Sequence, residues 1–143
     1  MFTTSSWQFW AVLAAVFAAL TAIFAKIGIG GVNSDYATFF RTIVVALVLG
    51  AILIGTGQMQ SPLGIAPKSL IFLVLSGLAT GASWLCYFRA LRLGQASQVA
   101  PVDKLSVVLV AIFGVIFLGE RLSGVSWLGV GLVGAGAVIM ALG

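Results

Sequence analysis

Residues 86–121 read CYFRALRLGQASQVAPVDKLSVVLVAIFGVIFLGER, and the run 98–118 within this stretch is apolar enough to cross a bilayer while holding Asp103 and Lys104 near its start. A helix needs about 20 apolar residues to span about 30 Å of hydrocarbon. Outward from this stretch the same pattern recurs, with apolar runs near residues 7–28, 36–55, 69–92, 98–118 and 124–142. None of them shows the alternation of a barrel strand, and an open sheet cannot satisfy its backbone in lipid. The expected fold is therefore an all-α membrane protein with five transmembrane helices, organised as one domain over residues 1–143.

Composition closes off most other classes. The 143 residues are 62% hydrophobic and only 7% charged, too little polar surface for a soluble domain of this size. One Cys and no His leave neither an internal disulfide nor a Cys/His metal set. The net charge of +4 comes from scattered Lys and Arg residues, so nucleic acid has no basic patch to meet. No nucleophile paired with a base and no cofactor loop is present, which argues against an enzyme. The run from Trp7 to Ala25 lacks a basic leader and is long for a signal sequence, so it reads as a retained first span.

The connections carry the turn chemistry. GIGGVNSD at 28–35 reads as a tight turn whose Asn-Ser-Asp end caps the second span. Its glycines are no phosphate loop, because neither a preceding strand nor a Lys-Ser or Lys-Thr pair accompanies them. TGQMQSPLGIAPK at 56–68 is the longest and most polar connection and reads as interfacial. Ala11, Ala15, Ala18, Ala22 and Ala25 form a small-residue stripe on the first span, and Gly124, Gly131 and Ala135 share a face of the last; both suit close helix packing or an oligomer contact.

Let side A be the side reached at the end of the first span. Lys26, Asp35, Arg41, Arg89, Arg92, Asp103 and Lys104 fall toward it, and Lys68, Glu120 and Arg121 toward side B. With Arg41 and Lys104 set aside as lying inside spans, three basic residues on side A face two on side B. So small a bias permits insertion in both orientations, which one half of an inverted repeat requires when the other half is a second chain.

Arg41 and Asp103 each lie about 7 Å into their spans at 1.5 Å per residue, and matching depth predicts an ion pair between them. Lys104 and Arg89 would then leave an electropositive surplus able to attract an anionic group. The competing reading is that Arg41, Arg89 and Lys104 snorkel to side A while Asp103 is neutralised structurally. Pro101 is expected in the first turn of the fourth span, with residues 96–101 irregular beside a cavity. Across that cavity Thr80, Ser83, Trp84 and Tyr87 share one semi-polar face of the third span, suited to a small amphipathic solute; packing and interfacial roles fit Trp84 and Tyr87 as well.

YFRAL at 87–91, GQASQVAP at 94–101, LGER at 118–121 and GVGLVGAGAVIM at 129–140 together resemble the EamA domain of the drug/metabolite transporter superfamily, over essentially the whole chain. The resemblance implies one five-helix repeat, half of a ten-helix inverted-repeat transporter that works by alternating access. It implies a secondary transporter of the bacterial inner membrane, often an exporter of amino acids or other metabolites. The expected partners are a small-molecule substrate, the lipid bilayer, and a second copy in antiparallel arrangement or a related single-domain chain; no nucleic acid is expected. Glu120 falls on the Gly-Glu signature, and its place at a helix end suggests a structural or gating role. No cofactor is expected; the first span lacks the carboxylate that small multidrug exporters of the superfamily use to exchange protons for cations, so proton coupling here would fall to Asp103. The other classes of function considered are a non-transporting membrane subunit and a lipid-linked sugar flippase subunit.

Overall fold

The computed structural model describes residues 6–143. The described chain is helical: α1 (Trp7–Gly28), α2 (Ser34–Gly55), a 3-10 turn at Pro62–Gly64, α3 (Pro67–Leu93), α4 (Ala96–Asp103), α5 (Leu105–Leu118) and α6 (Gly124–Leu142). With α4 and α5 counted as one span, Ala96–Leu118, five helical segments are long and apolar enough to cross a membrane. The expected all-α architecture is what the chain adopts.

Local chemistry sets the boundaries. Asn33 caps α2, its side-chain oxygen accepting from the backbone N–H of Asp35 at 2.9 Å and of Tyr36 at 3.1 Å, which starts the helix two residues before the apolar run. Gly31 supplies the left-handed residue of the turn, with φ of 78°. Pro67 opens α3, where its missing N–H has no helical partner to lose. Gly119, at φ 67°, ends α5 and lets the Glu120 N–H close on the Gly114 carbonyl at 3.1 Å.

The fourth span departs from expectation. Residues 96–101 are helical rather than irregular, and Pro101 is the sixth residue of α4 rather than part of its first turn. Gln95 occupies the N-cap position, with no side-chain bond to the helix. The interruption falls at Lys104, whose N–H is shared between the carbonyls of Ala100 at 3.3 Å and Pro101 at 3.0 Å. A proline inside a helix removes one i to i−4 bond and crowds the carbonyl four residues back, and the strain is relieved one turn later in a tightened step.

The chain divides into two compact units. One comprises the residues up to Lys26 together with Leu93–Gly143, and the other Ile27–Arg92. In the first, α4 and α5 pack on α6. Gly134 presents its backbone to Val108, leaving 3.2 Å between the Val108 methyl and the place a Cβ would take, and Ala137 is buried a turn further on. The face of α6 turned inward thus runs through Ser126, Val130, Gly134 and Ala137, whereas Gly124, Gly131 and Ala135 are exposed. Of the alanine stripe on α1 only Ala22 and Ala25 are buried. At the end of this unit's α1 segment, Lys26 Nζ donates to the Gly94 carbonyl at 2.6 Å.

In the second unit α2 and α3 are tied together at their side-A ends. Arg89 forks onto Asp35 at 2.9 and 2.7 Å, and Arg92 reaches the Val32 carbonyl at 3.5 Å. Toward side B nothing equivalent holds them: from Thr42 to Gly55 every residue but Val45 and Gly50 is exposed, and from Pro67 to Ser83 all are.

Candidate functional site

The charged and semi-polar residues expected in the site divide between the units. Arg41, Thr80, Ser83, Trp84 and Tyr87 belong to the unit Ile27–Arg92; Pro101, Asp103, Lys104 and Glu120 belong to the other.

In the α2/α3 unit, Arg41 stands seven residues past the start of α2, about 10 Å along the helix. Its guanidinium lies 4.0 Å from the centroid of the Trp84 ring and 5.6 Å from that of Phe88. Trp84 and Phe88 follow one another by a helical turn, and Phe88 is the one nearer side A and is buried. The guanidinium thus lies closer to the deeper of the two rings. A cation over an aromatic face gains about 2 kcal/mol or more when desolvated. An arginine at mid-span costs about 2.5–3.5 kcal/mol on insertion scales. The ring therefore offsets much of the cost but leaves the charge in place.

Thr80 sits at the midpoint of α3, thirteen residues from Pro67 and thirteen from Leu93. Its hydroxyl donates back to the Ser76 carbonyl at 2.9 Å, a bond internal to the helix. Ser83, one turn closer to side A, is exposed and makes no hydrogen bond among the described residues. Tyr87 is half-buried and meets Phe88 edge-on at 6.4 Å between centroids. The four residues expected on one face do share one, and Arg41 joins it through Trp84.

In the other unit, Asp103 accepts from Lys104 Nζ at 3.2 Å, a pair between sequence neighbours at the break between α4 and α5. Its charge is thus met by the adjacent residue of its own unit. The ion pair expected between Arg41 and Asp103 would join residues of different units, and within its own unit each has the partner just given. Pro101 is half-buried in α4 and sets the break. Glu120 is exposed past the end of α5, its Oε2 folded back to within 2.6 Å of where a Cβ on the buried Gly114 would stand. That contact belongs to helix termination.

Sequence reading missed two features. Asp35 and Arg89 were both assigned to side A but not to each other, although one begins α2 and the other lies four residues before the end of α3, so an antiparallel pair of helices brings them level. Phe88 was not singled out; its spacing of four from Trp84 was the available signal.

Five helical segments long and apolar enough to cross a membrane define a multi-pass membrane protein. The chain belongs to the EamA-like transporter family, whose pattern it matches over residues 5–142. It is 60% identical over 139 residues to a Sinorhizobium protein named an uncharacterized transporter in cobO 3′region, covering 97% of this chain and 99% of that one. It is also 25% identical over 138 residues to an uncharacterized transporter of Vibrio cholerae, covering 94% of this chain but 42% of the longer protein. No solved structure matches it. The chain is thus a membrane transporter by family, with one five-helix repeat, and that membership points away from an enzyme.

Proposed function

We propose that the protein is a secondary transporter of the bacterial inner membrane that exports a small amino-acid-like metabolite, zwitterionic or anionic, by alternating access. Two copies in antiparallel arrangement, or this chain and a related single-domain partner, would supply the two repeats. The observation that carries this reading is the α2/α3 pair: a cation, a free hydroxyl and an aromatic wall at membrane depth on helices that their own unit leaves uncovered toward side B. A hydroxyl without a partner in hydrocarbon is costly, so Ser83 favours protein or a water-filled cavity beside it. The Vibrio relative, of which this chain spans 42%, has length for two such repeats, which supports a paired assembly. Any coupling proton would use Asp103, whose partner Lys104 sits at the helix break.

The test is reconstitution into liposomes loaded with radiolabelled amino acids and small organic acids, followed by counterflow. Saturable exchange of at least one solute is expected. A folded, paired protein that moves none of them overturns the reading. A topology reporter fused after Gly143 should give signal from both sides of the membrane; signal from one side alone removes the antiparallel homodimer and leaves only a hetero-partner.

A further inference from the structure

We infer that Arg41, held against Trp84, is the receptor for a carboxylate of the transported solute, so that the solute is a small organic acid or amino acid. The inference rests on the transport reading and narrows it to a chemical class and an anchoring residue. Charge accounting inside the unit points there first. Asp35 is its one carboxylate among residues 27–92, and both of its oxygens are taken by Arg89 at 2.9 and 2.7 Å. No acidic side chain of the unit is left for Arg41.

The geometry then fixes what Arg41 can bind. A guanidinium donates in its own plane, through five N–H groups in a fixed fork. Contact of the cation with the Trp84 and Phe88 rings uses no N–H, and Arg41 donates no hydrogen bond to any described residue. The fork is therefore unspent, and no nitrogen is sealed away without a partner. A planar carboxylate accepts two of these bonds side by side. A phosphate dianion would draw on a second cation, and the nearest candidate on α3, Arg89, is committed to Asp35. Ser83 beside Trp84 adds one hydroxyl for a second polar group of the solute, as an amino acid would offer.

The Arg41 guanidinium lies 4.0 Å from the deeper ring and 5.6 Å from the one nearer side A, which puts its charge beside Trp84 within the span. An anchor gains by reaching water; a receptor must hold its charge where a solute can displace water from it.

Trp84 also provides the readout. A variant with Trp7→Phe, Trp10→Phe and Trp127→Phe keeps Trp84 as its single indole, and in lipid nanodiscs its emission is titrated with proteinogenic amino acids and short mono- and dicarboxylates. Each is run against its amide, with inorganic phosphate alongside. At least one carboxylate is expected to change the emission saturably, its amide to bind about tenfold more weakly or worse, and Arg41→Gln to abolish the response. Arg41→Lys should retain a weakened one, since charge survives without the fork. Amides equal to acids, phosphate in place of carboxylates, no response to any acid, or a response that survives Arg41→Gln would overturn the inference. Helical content and elution volume matched to the parent confirm that each variant is folded. Binding that passes these criteria in a protein that fails liposome counterflow would remove the transport function and leave the carboxylate site standing.

Discussion

The unit containing α4, α5 and α6 and the unit containing α2 and α3 hold their helices by different means. In the first, α6 approaches its neighbours through absent side chains: Gly134 against Val108, and Ala137 buried behind it. Contacts of that kind are short-ranged and either fit or do not. In the second, α2 and α3 are joined at one end by Asp35–Arg89 and by Arg41 over Trp84, with their other halves exposed. Polar contacts at one end can be exchanged for others without repacking a core. The difference is between a seam that depends on close fit and one that depends on polar contacts confined to the side-A halves of its helices.

The contrast is broken most directly at Gly134. Gly134→Leu puts four carbons where 3.2 Å is available to the first, so α6 has to move off Val108. Overpacking of this kind costs about 1–3 kcal/mol, and a large drop in the melting temperature of the detergent-solubilised protein is expected. A melting temperature equal to the parent's would mean that α5 and α6 are as loosely joined as α2 and α3.

Trp84→Leu is expected to come next. It removes the ring closest to Arg41 and with it about 0.5–2 kcal/mol of cation–π stabilisation, while Trp84→Phe keeps part of it. The paired measurement is the melting temperature of both variants in an Arg41→Gln background. There the two substitutions should differ much less, because the cation that distinguishes them is gone.

Smaller again is Asp35→Asn. Both members of the Asp35–Arg89 pair are substantially exposed, 46% and 59% at their side chains, so solvent and salt screen it. A modest loss of thermal stability at low ionic strength is expected, fading as salt is added. A loss that persists in high salt would show a contact shielded from solvent, and would make the side-A end of α2/α3 a fixed joint rather than an exchangeable one.

How far these arrangements were legible from sequence follows the same physics. The spans were legible because hydrocarbon thickness imposes a length on apolar runs, and Asn33 was legible as a cap because caps are local. The interruption in the fourth span was placed too early: Pro101 marks the fault, but the break appears where the helix relieves it, at Lys104. Depth alone suggested Arg41 with Asp103; within their own units Asp103 meets Lys104 at 3.2 Å and Arg41 meets an aromatic face, contacts that depth does not specify. Which face of α6 its own unit packs on was not legible for a related reason. With glycine or alanine at Gly124, Gly129, Gly131, Gly134, Ala135, Gly136 and Ala137, almost every face is small, and only the neighbour's Val108 selects among them.

The finest division is drawn by Gly114, which looks like a second Gly134 but differs in what it faces. An added Cβ there would stand 2.6 Å from Glu120 Oε2, closer than at Gly134, yet the obstacle is the tip of an exposed, flexible side chain rather than a packed methyl. Glu120 can swing into solvent while its backbone N–H keeps the bond to the Gly114 carbonyl at 3.1 Å and Gly119 keeps its left-handed turn. Replacing glycine inside a helix by alanine gains about 0.5–1 kcal/mol in backbone entropy, which is enough to offset a displaced side chain. Gly114→Ala is therefore expected to leave the melting temperature unchanged or slightly raised, and Glu120→Ala to add nothing further in that background. If Gly114→Ala instead destabilises and Glu120→Ala rescues it, the folded-back carboxylate is held in place. Glu120 would then be fastening the end of α5, where closing the helix through Gly119 requires only backbone.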